Sequence, residues 1–216
     1  MKKQKISREE RQDEHMNGTL VYGRLHRLLA RFFLGLFRVR VHFAEREPAD
    51  TNYLLCCNHI SAVDPILVAA AAHCQQPHFM AKKELFENSV FSSIITSLGA
   101  FPVNRGAADR NAIKTALAVL GEGKCLGLFP EGTRSKSGKL GEPEAGIGLI
   151  AYKANVPIVP VASTGTNGKG LFPKFTIRFG KPIPAGDPKD KKLMTTLPTQ
   201  IMTEIQKLLD EEKAGR

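Results

Sequence analysis

The sequence predicts a single α/β domain whose largely parallel or mixed central sheet is flanked by helices. Two observations carry this prediction. Apolar runs of strand length alternate with helical patterns over most of the chain, and such alternation favours parallel strands joined by right-handed crossovers. The chain has 216 residues and a hydrophobic fraction of 42%, which suits one folded domain with a sizeable core.

The N-terminal part of the chain carries two segments ahead of that domain. Residues 1–19 are charged and have no apolar core behind them, so they lack the pattern of a secretory signal. Residues 20–37 predict an amphipathic helix in which Arg24, Arg27 and Arg31 share one side and apolar side chains occupy the other. This arrangement is typical of a helix lying in a membrane interface, and also of a helix packing on a core.

A protein of this kind is expected to lie on a membrane without crossing it. No stretch reaches the roughly 18 consecutive apolar residues of a spanning helix. With no secretory signal and a basic amphipathic helix, the sequence predicts a peripheral protein on the cytoplasmic face of the cell membrane.

The remaining elements, taken in order, form the domain at residues 38–216. Phe37, Val39, Val41 and Phe43 alternate with polar residues, which indicates a half-buried first strand. The other predicted strands span 53–57, 78–81, 100–103, 125–129, 157–162 and 174–179. The predicted helices span about 65–73, 83–97, 108–120, 145–154 and 194–213.

The charge balance indicates an anionic partner. The formal net charge is +10, which favours nucleic acid, an anionic membrane surface or a phosphate-bearing substrate. The chain has neither an interleaved basic and aromatic stacking surface nor a helix-turn-helix or RNP motif, so we expect no nucleic-acid partner. Its four cysteines do not have the spacing of a zinc site, and no metal or other cofactor is expected.

Polar segments follow several predicted strands, where parallel sheets gather their ligands. His59 follows the strand at 53–57, Lys82 the strand at 78–81, and Arg105 the strand at 100–103. The segment PEGTRS follows the strand at 125–129. Several cations at one edge favour a phosphorylated ligand held by charge-assisted hydrogen bonds.

His59 and Asp64 have the residue types of a general base and its orienting partner. A neutral imidazole can take a proton from an alcohol while a carboxylate fixes its tautomer. Alternatively, Asp64 and Pro65 form an ordinary start of a helix, and His59 is a loop residue. Neither Ser61 nor Cys57 lies in a nucleophile motif, so a base here implies that a substrate hydroxyl attacks directly.

The segment FPEGTRSKSGK does not form a nucleotide-binding phosphate loop. Five residues separate Gly132 from Gly138 where that motif needs four, and Leu140 stands where Ser or Thr is required. Gly132 could allow close backbone approach to an anion and Arg134 could donate hydrogen bonds to it. A plain turn between two elements accounts for the same residues equally well.

Four segments in order resemble the motifs of the glycerolipid acyltransferase family. They are NHISAVD (58–64), GAFPVNRG (99–106), FPEGTRS (129–135) and VPIVPVA (156–162). The third is highly specific, and the similarity is greatest to the bacterial 1-acylglycerol-3-phosphate acyltransferases. The resemblance implies transfer of an acyl chain from acyl-CoA or acyl-ACP, as substrate, to the sn-2 hydroxyl of lysophosphatidate, giving phosphatidate in phospholipid biosynthesis.

The resemblance also implies roles for individual residues. His59 would be the general base and Asp64 its orienting partner. The positions that would hold the glycerol phosphate are Arg105, Glu131, Gly132 and Arg134, with Lys82 as a further candidate from its place after a strand. The chain departs from many relatives in having Asn104 before the second-motif arginine, which removes one potential partner of Arg105.

Two alternatives stay open at this point. The acceptor could be glycerol 3-phosphate or another lysophospholipid, because the motifs specify the chemistry more firmly than the acceptor. The chain could also be a non-catalytic module that binds anionic lipid. The acyl carrier, the acyl-chain length and the oligomeric state are not indicated by any segment.

Overall fold

A computed structural model describes residues 32, 34–35, 38–97, 99–103, 110–166 and 175–215. Over these residues it shows a seven-stranded sheet with helices on both faces. The strands are β1 (Arg40–Phe43), β2 (Leu54–Cys57), β3 (His78–Lys82), β4 (Phe101–Val103), β5 (Leu126–Leu128), β6 (Ile158–Thr164) and β7 (Thr176–Phe179). The helices are α1 (Asp64–Ala71), α2 (Ser89–Ser97), α3 (Arg110–Gly121), α4 (Ala145–Ala154) and α5 (Leu193–Lys213), with a 3₁₀ helix at Lys83–Phe86.

The sheet is mixed, with its parallel part at the centre. The strand order is β1-β7-β6-β2-β5-β3-β4. The five strands from β6 to β4 run parallel to their neighbours, whereas β7 runs antiparallel to β6 and β1 runs parallel to β7. The predicted α/β domain with a largely parallel or mixed sheet is confirmed. The carboxyl ends of β2, β5, β6 and β3 therefore meet at one edge.

Strand β2 lies at the middle of the core. Its side chains alternate between two apolar clusters: Leu54 and Cys56 face one, and Leu55 and Cys57 face the other. Helices α3, α4 and α5 cover the first face, and α1 covers the second. A strand buried on both faces needs a continuous apolar run, which is what the sequence YLLCC provides.

The helix predicted over 83–97 is divided in two. A 3₁₀ helix ends at Phe86 and α2 begins at Ser89. The carbonyl of Asn88 accepts the first helical hydrogen bond, from the N–H of Ser92, so Asn88 caps the second helix. Asparagine favours this position because its side chain competes with helical hydrogen bonding within a helix.

Strand β6 ends two residues later than predicted. It continues to Thr164 because Ser163 and Thr164 pair with Ile177 and Thr176 of the antiparallel strand β7. This extension carries Ser163 to the edge where the parallel strands end.

The predicted amphipathic helix at 20–37 lies outside the described residues except at 32 and 34–35. Its place in a membrane interface stays a prediction. Among the described helices, none combines the length and the apolar character needed to cross a bilayer.

Candidate active site

The candidate site lies where β2, β5 and β6 end. Asn58 alone separates His59 from the end of β2, Glu131 lies on the loop after β5, and Ser163 lies near the end of β6. Because β2 is hydrogen-bonded to both β5 and β6, the three loops are brought together by the sheet itself. This is the edge at which parallel sheets place their ligands.

His59 and Asp64 form a direct pair. Nδ1 of His59 lies 3.0 Å from Oδ2 of Asp64, and both side chains are buried. The carboxylate can only accept, so Nδ1 of the imidazole is the donor in this contact, and in the neutral ring the lone pair lies on Nε2. The arrangement can take a proton at Nε2 and stabilise the imidazolium that forms.

Asp64 is the first residue of α1 instead of the cap of that helix. Val63 occupies the cap position, and no side chain caps it. Oδ2 of Asp64 turns back to accept hydrogen bonds from the backbone N–H groups of Ile60, at 2.8 Å, and Ser61, at 2.7 Å. The loop between His59 and Asp64 is thus closed around the carboxylate. The helix starts at Asp64 and Pro65, as the sequence alternative predicted, but the cap position belongs to Val63; Asp64 also contacts His59.

The second oxygen of Asp64 has its own donors. Oδ1 accepts hydrogen bonds from the hydroxyls of Ser163, at 3.0 Å, and Thr166, at 2.6 Å. Burial by itself raises the pKa of Asp64, but the hydrogen bonds from His59, Thr166 and the two backbone N–H groups outweigh it and hold the pKa below its ordinary value. Asp64 is therefore an anion at neutral pH.

The imidazole of His59 rests on an aromatic side chain. Its ring stacks on Phe129, with ring centres 4.0 Å apart and planes inclined by 22°. Phe129 in turn stacks on Phe79 of β3 at 5.4 Å. With Asp64 on one edge and Phe129 on one face, the ring has a defined orientation.

The backbone of His59 is held by the loop that follows β5. Its N–H donates to Oε1 of Glu131 at 2.8 Å, and its carbonyl accepts from the N–H of Ser135 at 2.7 Å. The other oxygen of Glu131 accepts from the N–H of Gly141 at 3.0 Å. Both oxygens of this buried carboxylate are therefore occupied by backbone donors.

Gly132 has a conformation that favours glycine. Its φ is +66°, and its N–H donates to the carbonyl of Phe129 in a tight turn. A Cβ atom at this position would lie 2.7 Å from Cγ of Glu144. The positive φ favours glycine here, and a Cβ atom would in addition force the Glu144 side chain to shift.

The predicted cations differ in what the structure describes. Arg134 lies on the same loop as Glu131 and is exposed. Lys82 ends β3, is half exposed, and forms an ion pair with Glu84 at 3.2 Å. Arg105 lies outside the described residues.

Three site residues were missed by the sequence interpretation. Ser163 and Thr166 contact Asp64, and the side chain of Asn58 forms two hydrogen bonds with the backbone of Ser163, at 2.9 and 2.7 Å. The segment before Ser163 was interpreted as a buried strand at 157–162 and as the fourth motif at 156–162, and neither included Ser163. The one available signal was the position of two hydroxyls just where β6 reaches the site edge.

Cys57, the thiol nearest to His59 along the chain, is buried. Burial raises the pKa of Cys57 well above its ordinary value, and the charge of Asp64 raises it further. A protonated thiol is a poor nucleophile, so Cys57 has the character of a core side chain.

Comparison with known proteins identifies the family. The acyltransferase family model matches residues 38–164, which is more than half of the chain. The 1-acyl-sn-glycerol-3-phosphate acyltransferase of Bacillus subtilis is 35% identical over 182 residues, covering 80% of this chain and 90% of that protein. The protein of the same name from Streptococcus pneumoniae is 38% identical over 179 residues, covering 80% of this chain and 66% of that protein.

A solved structure shares the fold. The crystal structure of the 1-acyl-sn-glycerophosphate (LPA) acyltransferase PlsC from Thermotoga maritima superposes with a TM-score of 0.75 at 24% identity, covering 93% of this chain and 83% of that one. The matched family segment contains His59, Asp64, Ser163 and the loop after β5, and Thr166 lies two residues beyond its end. The chain belongs to the acyltransferase family.

Proposed function

We propose that this protein transfers an acyl chain from an acyl thioester to the sn-2 hydroxyl of 1-acylglycerol 3-phosphate, giving phosphatidate. The observation that carries the proposal is the buried contact of 3.0 Å between His59 and Asp64 at the edge of the sheet. Two relatives of this chain, at 35% and 38% identity, bear the name 1-acyl-sn-glycerol-3-phosphate acyltransferase, which favours this acceptor over glycerol 3-phosphate.

In the proposed reaction, Nε2 of His59 takes the proton of the acceptor hydroxyl as its oxygen attacks the thioester carbonyl. The negative charge of Asp64 stabilises the imidazolium through Nδ1–H. The tetrahedral intermediate then collapses, the bond from carbon to sulfur breaks, and the thiolate leaves with the proton that His59 returns. General-base assistance of this kind contributes about 10²- to 10⁴-fold to the rate.

Direct attack by the substrate hydroxyl agrees with the state of the nearby thiol. An acyl-enzyme route would need an activated protein nucleophile beside the base. Cys57 is buried and its pKa is raised, so it is unsuited to that role.

Cations would hold the glycerol phosphate beside His59. Arg105 and Arg134 are the proposed donors, with Lys82 as a further one, because arginine forks match phosphate oxygens and lysine supplies a point charge. Gly132 would let the backbone approach the ligand closely. Glu131 is proposed to act on His59 instead of on phosphate, because its oxygens are occupied by backbone N–H groups and an anion would be repelled by the carboxylate.

The acyl thioester is a substrate of this reaction, and either coenzyme A or acyl carrier protein could be its carrier. We further propose that residues 20–37 attach the protein to the anionic cytoplasmic face of the cell membrane, where lysophosphatidate is found. Each arginine near such a surface contributes about 1 kcal/mol, so attachment would be reversible.

An acceptor panel tests the proposed function. The protein would be given an acyl thioester with lysophosphatidate, glycerol 3-phosphate or lysophosphatidylcholine, and thiol release would be followed. We expect turnover with lysophosphatidate at a much higher kcat/KM than with the other two. A preference for glycerol 3-phosphate would contradict the proposed acceptor and would indicate a glycerol 3-phosphate acyltransferase. Binding of anionic lipid without thiol release would indicate a non-catalytic module.

A further inference from the structure

Each oxygen of the Asp64 carboxylate accepts hydrogen bonds from a different set of donors. Oδ2 faces His59 and the loop N–H groups, and Oδ1 faces the hydroxyls of Ser163, at 3.0 Å, and Thr166, at 2.6 Å. All of these side chains are buried, and Asp64 has an exposed fraction of 0%. No water is needed to satisfy Oδ1, because two protein hydroxyls already occupy it.

Ser163, one of the two hydroxyl donors to Oδ1 of Asp64, is held in place by Asn58, the residue that precedes His59. Nδ2 of Asn58 donates to the carbonyl of Ser163 at 2.9 Å, and the N–H of Ser163 donates to Oδ1 of Asn58 at 2.7 Å. This reciprocal pair fixes the end of β6 relative to the end of β2. The Ser163 hydroxyl is thus delivered to Asp64 by the same contact that positions the loop bearing His59.

We propose that Ser163 and Thr166 are positioning residues for the reaction, which hold Asp64 in the orientation that pairs Oδ2 with Nδ1 of His59. The inference rests on the proposed function. A carboxylate rotates about a single bond, and only donors on Oδ1 oppose that rotation without competing for Oδ2. Neither residue touches the substrate in this account, so each acts through Asp64.

Loss of either hydroxyl would act on the charge of Asp64 as well as on its orientation. A hydrogen bond to a charged acceptor is among the stronger ones, and its removal from a buried site leaves an oxygen unsatisfied. Among the residues that the structure describes, the ionisable side chains that interact with Asp64 are His59 and Cys57, and the raised pKa of the Cys57 thiol keeps it protonated. Without its hydroxyl donors, Asp64 would have a higher pKa than in wild type, because hydrogen bonds to the charged form lower the pKa of a carboxyl.

The test uses the full chain and four single variants. Thr166→Val and Ser163→Ala remove one hydroxyl each, while Thr166→Ser keeps the hydroxyl. Thr164→Val is the matched control, because Thr164 follows Ser163 in β6 and its side chain points to the opposite face of the strand. For each variant, kcat and KM for lysophosphatidate would be measured by thiol release.

We expect Thr166→Val and Ser163→Ala to lower kcat about 10-fold or more with little change in KM, the scale of one lost hydrogen bond to a charged group. Thr166→Ser and Thr164→Val should behave as wild type. An unchanged kcat in folded Thr166→Val and Ser163→Ala would overturn the proposal, as would an equal loss of kcat in Thr166→Ser, which keeps the hydroxyl.

A second measurement is independent of turnover. The carboxyl carbon of Asp64 would be followed by ¹³C NMR against pH in wild type, Ser163→Ala and Thr166→Val. The proposal predicts that Asp64 titrates at higher pH in both variants than in wild type, and an unchanged titration would contradict it. If wild type does not acylate lysophosphatidate, the proposed function fails, and this titration still decides whether the two hydroxyls control Asp64. Should Thr166→Val not fold, Ser163→Ala carries both measurements.

Discussion

Oε1 of Glu131 accepts a hydrogen bond of 2.8 Å from the backbone N–H of His59. Its other oxygen accepts from the N–H of Gly141, so this single carboxylate joins the loop after β2 to the far end of the loop after β5. A buried carboxylate would repel a phosphate group, so Glu131 is poorly suited to contact phosphate directly. Glu131 has a clear physical role in holding the backbone of His59, because that backbone cannot shift without losing this hydrogen bond.

We expect Glu131→Gln to lower both activity and stability. The amide keeps one acceptor oxygen but turns an NH₂ group toward a backbone N–H, so one of the two hydrogen bonds is lost. The cost should be about 1–3 kcal/mol in the free energy of unfolding, with kcat reduced more than KM. Thermal denaturation and thiol release check this. The control is Glu142→Gln, at an exposed residue of the same loop. Equal stability and activity of the two variants would contradict the role of Glu131 in holding His59.

Gly132→Ala should be more damaging than Gly138→Ala. Both glycines have positive φ, +66° and +74°, so each substitution carries backbone strain of about 1–2 kcal/mol. Only at Gly132 does the new Cβ meet a neighbour, Glu144, whereas Gly138 faces open space. We expect a larger fall in Tm and in activity for Gly132→Ala. Equal losses from the two substitutions would show that the contact with Glu144 is unimportant.

Glu47 predicts a pH dependence of stability away from the site. This buried carboxyl accepts hydrogen bonds from the N–H groups of His73 and Cys74 and from the Tyr53 hydroxyl. Burial raises the pKa of Glu47 above the ordinary 4.5, against the opposing effect of the backbone hydrogen bonds. A raised pKa means that the protonated form favours folding: its contribution is complete below pH 4.5 and is lost as the pH rises through the raised pKa.

Glu47→Gln should therefore flatten the curve of Tm against pH above 4.5. The neutral amide can accept from the backbone and donate to the Tyr53 oxygen, and it does not ionise as the pH rises. We expect wild type to lose stability relative to the variant between pH 4.5 and 7. Exposed Glu45 provides the control substitution Glu45→Gln, and parallel Tm curves for wild type and Glu47→Gln would contradict the prediction.

The amphipathic segment at 20–37 predicts membrane attachment through its arginines. Changing Arg24, Arg27 and Arg31 together to Glu should abolish sedimentation with anionic vesicles, because three attractive charges become repulsive. Vesicles of neutral lipid serve as the control and should bind wild type weakly. Undiminished sedimentation of the variant would favour the alternative in which this helix packs on the domain core.

The sequence predicted the sheet from local apolar patterns. It predicted the His59–Asp64 pair from the resemblance of four ordered motifs, since the local spacing alone left a plain helix start as an alternative. The run YLLCC is apolar without interruption, as a strand buried on both faces must be, and Asp64 follows His59 closely enough for one loop to join them. The hydrogen bonds from Ser163 and Thr166 to Asp64 depend on β6 lying next to β2. Asn58 and Ser163, which pair across these two strands, are 105 residues apart along the chain. Nothing in the local sequence specifies that adjacency.

The hydrogen-bond partners of Glu131 were not predicted, for a similar reason. A carboxylate beside Gly132 and Arg134 in the sequence was grouped with them as a phosphate contact. Its oxygens instead accept backbone N–H groups of His59 and Gly141, one of them from another loop. Which group a buried carboxylate faces is decided by loop packing, and loop packing is not a property of sequence spacing.

The central claim, that His59 is the general base of acyl transfer, is tested most directly by thiol release from an acyl thioester with lysophosphatidate in wild type and His59→Ala. His42→Ala, which removes an exposed histidine of β1, is the matched control. We predict that kcat for His59→Ala falls by about 10²- to 10⁴-fold or more while the variant keeps its fold and His42→Ala keeps its activity. A folded His59→Ala that releases thiol at the wild-type rate would contradict the account.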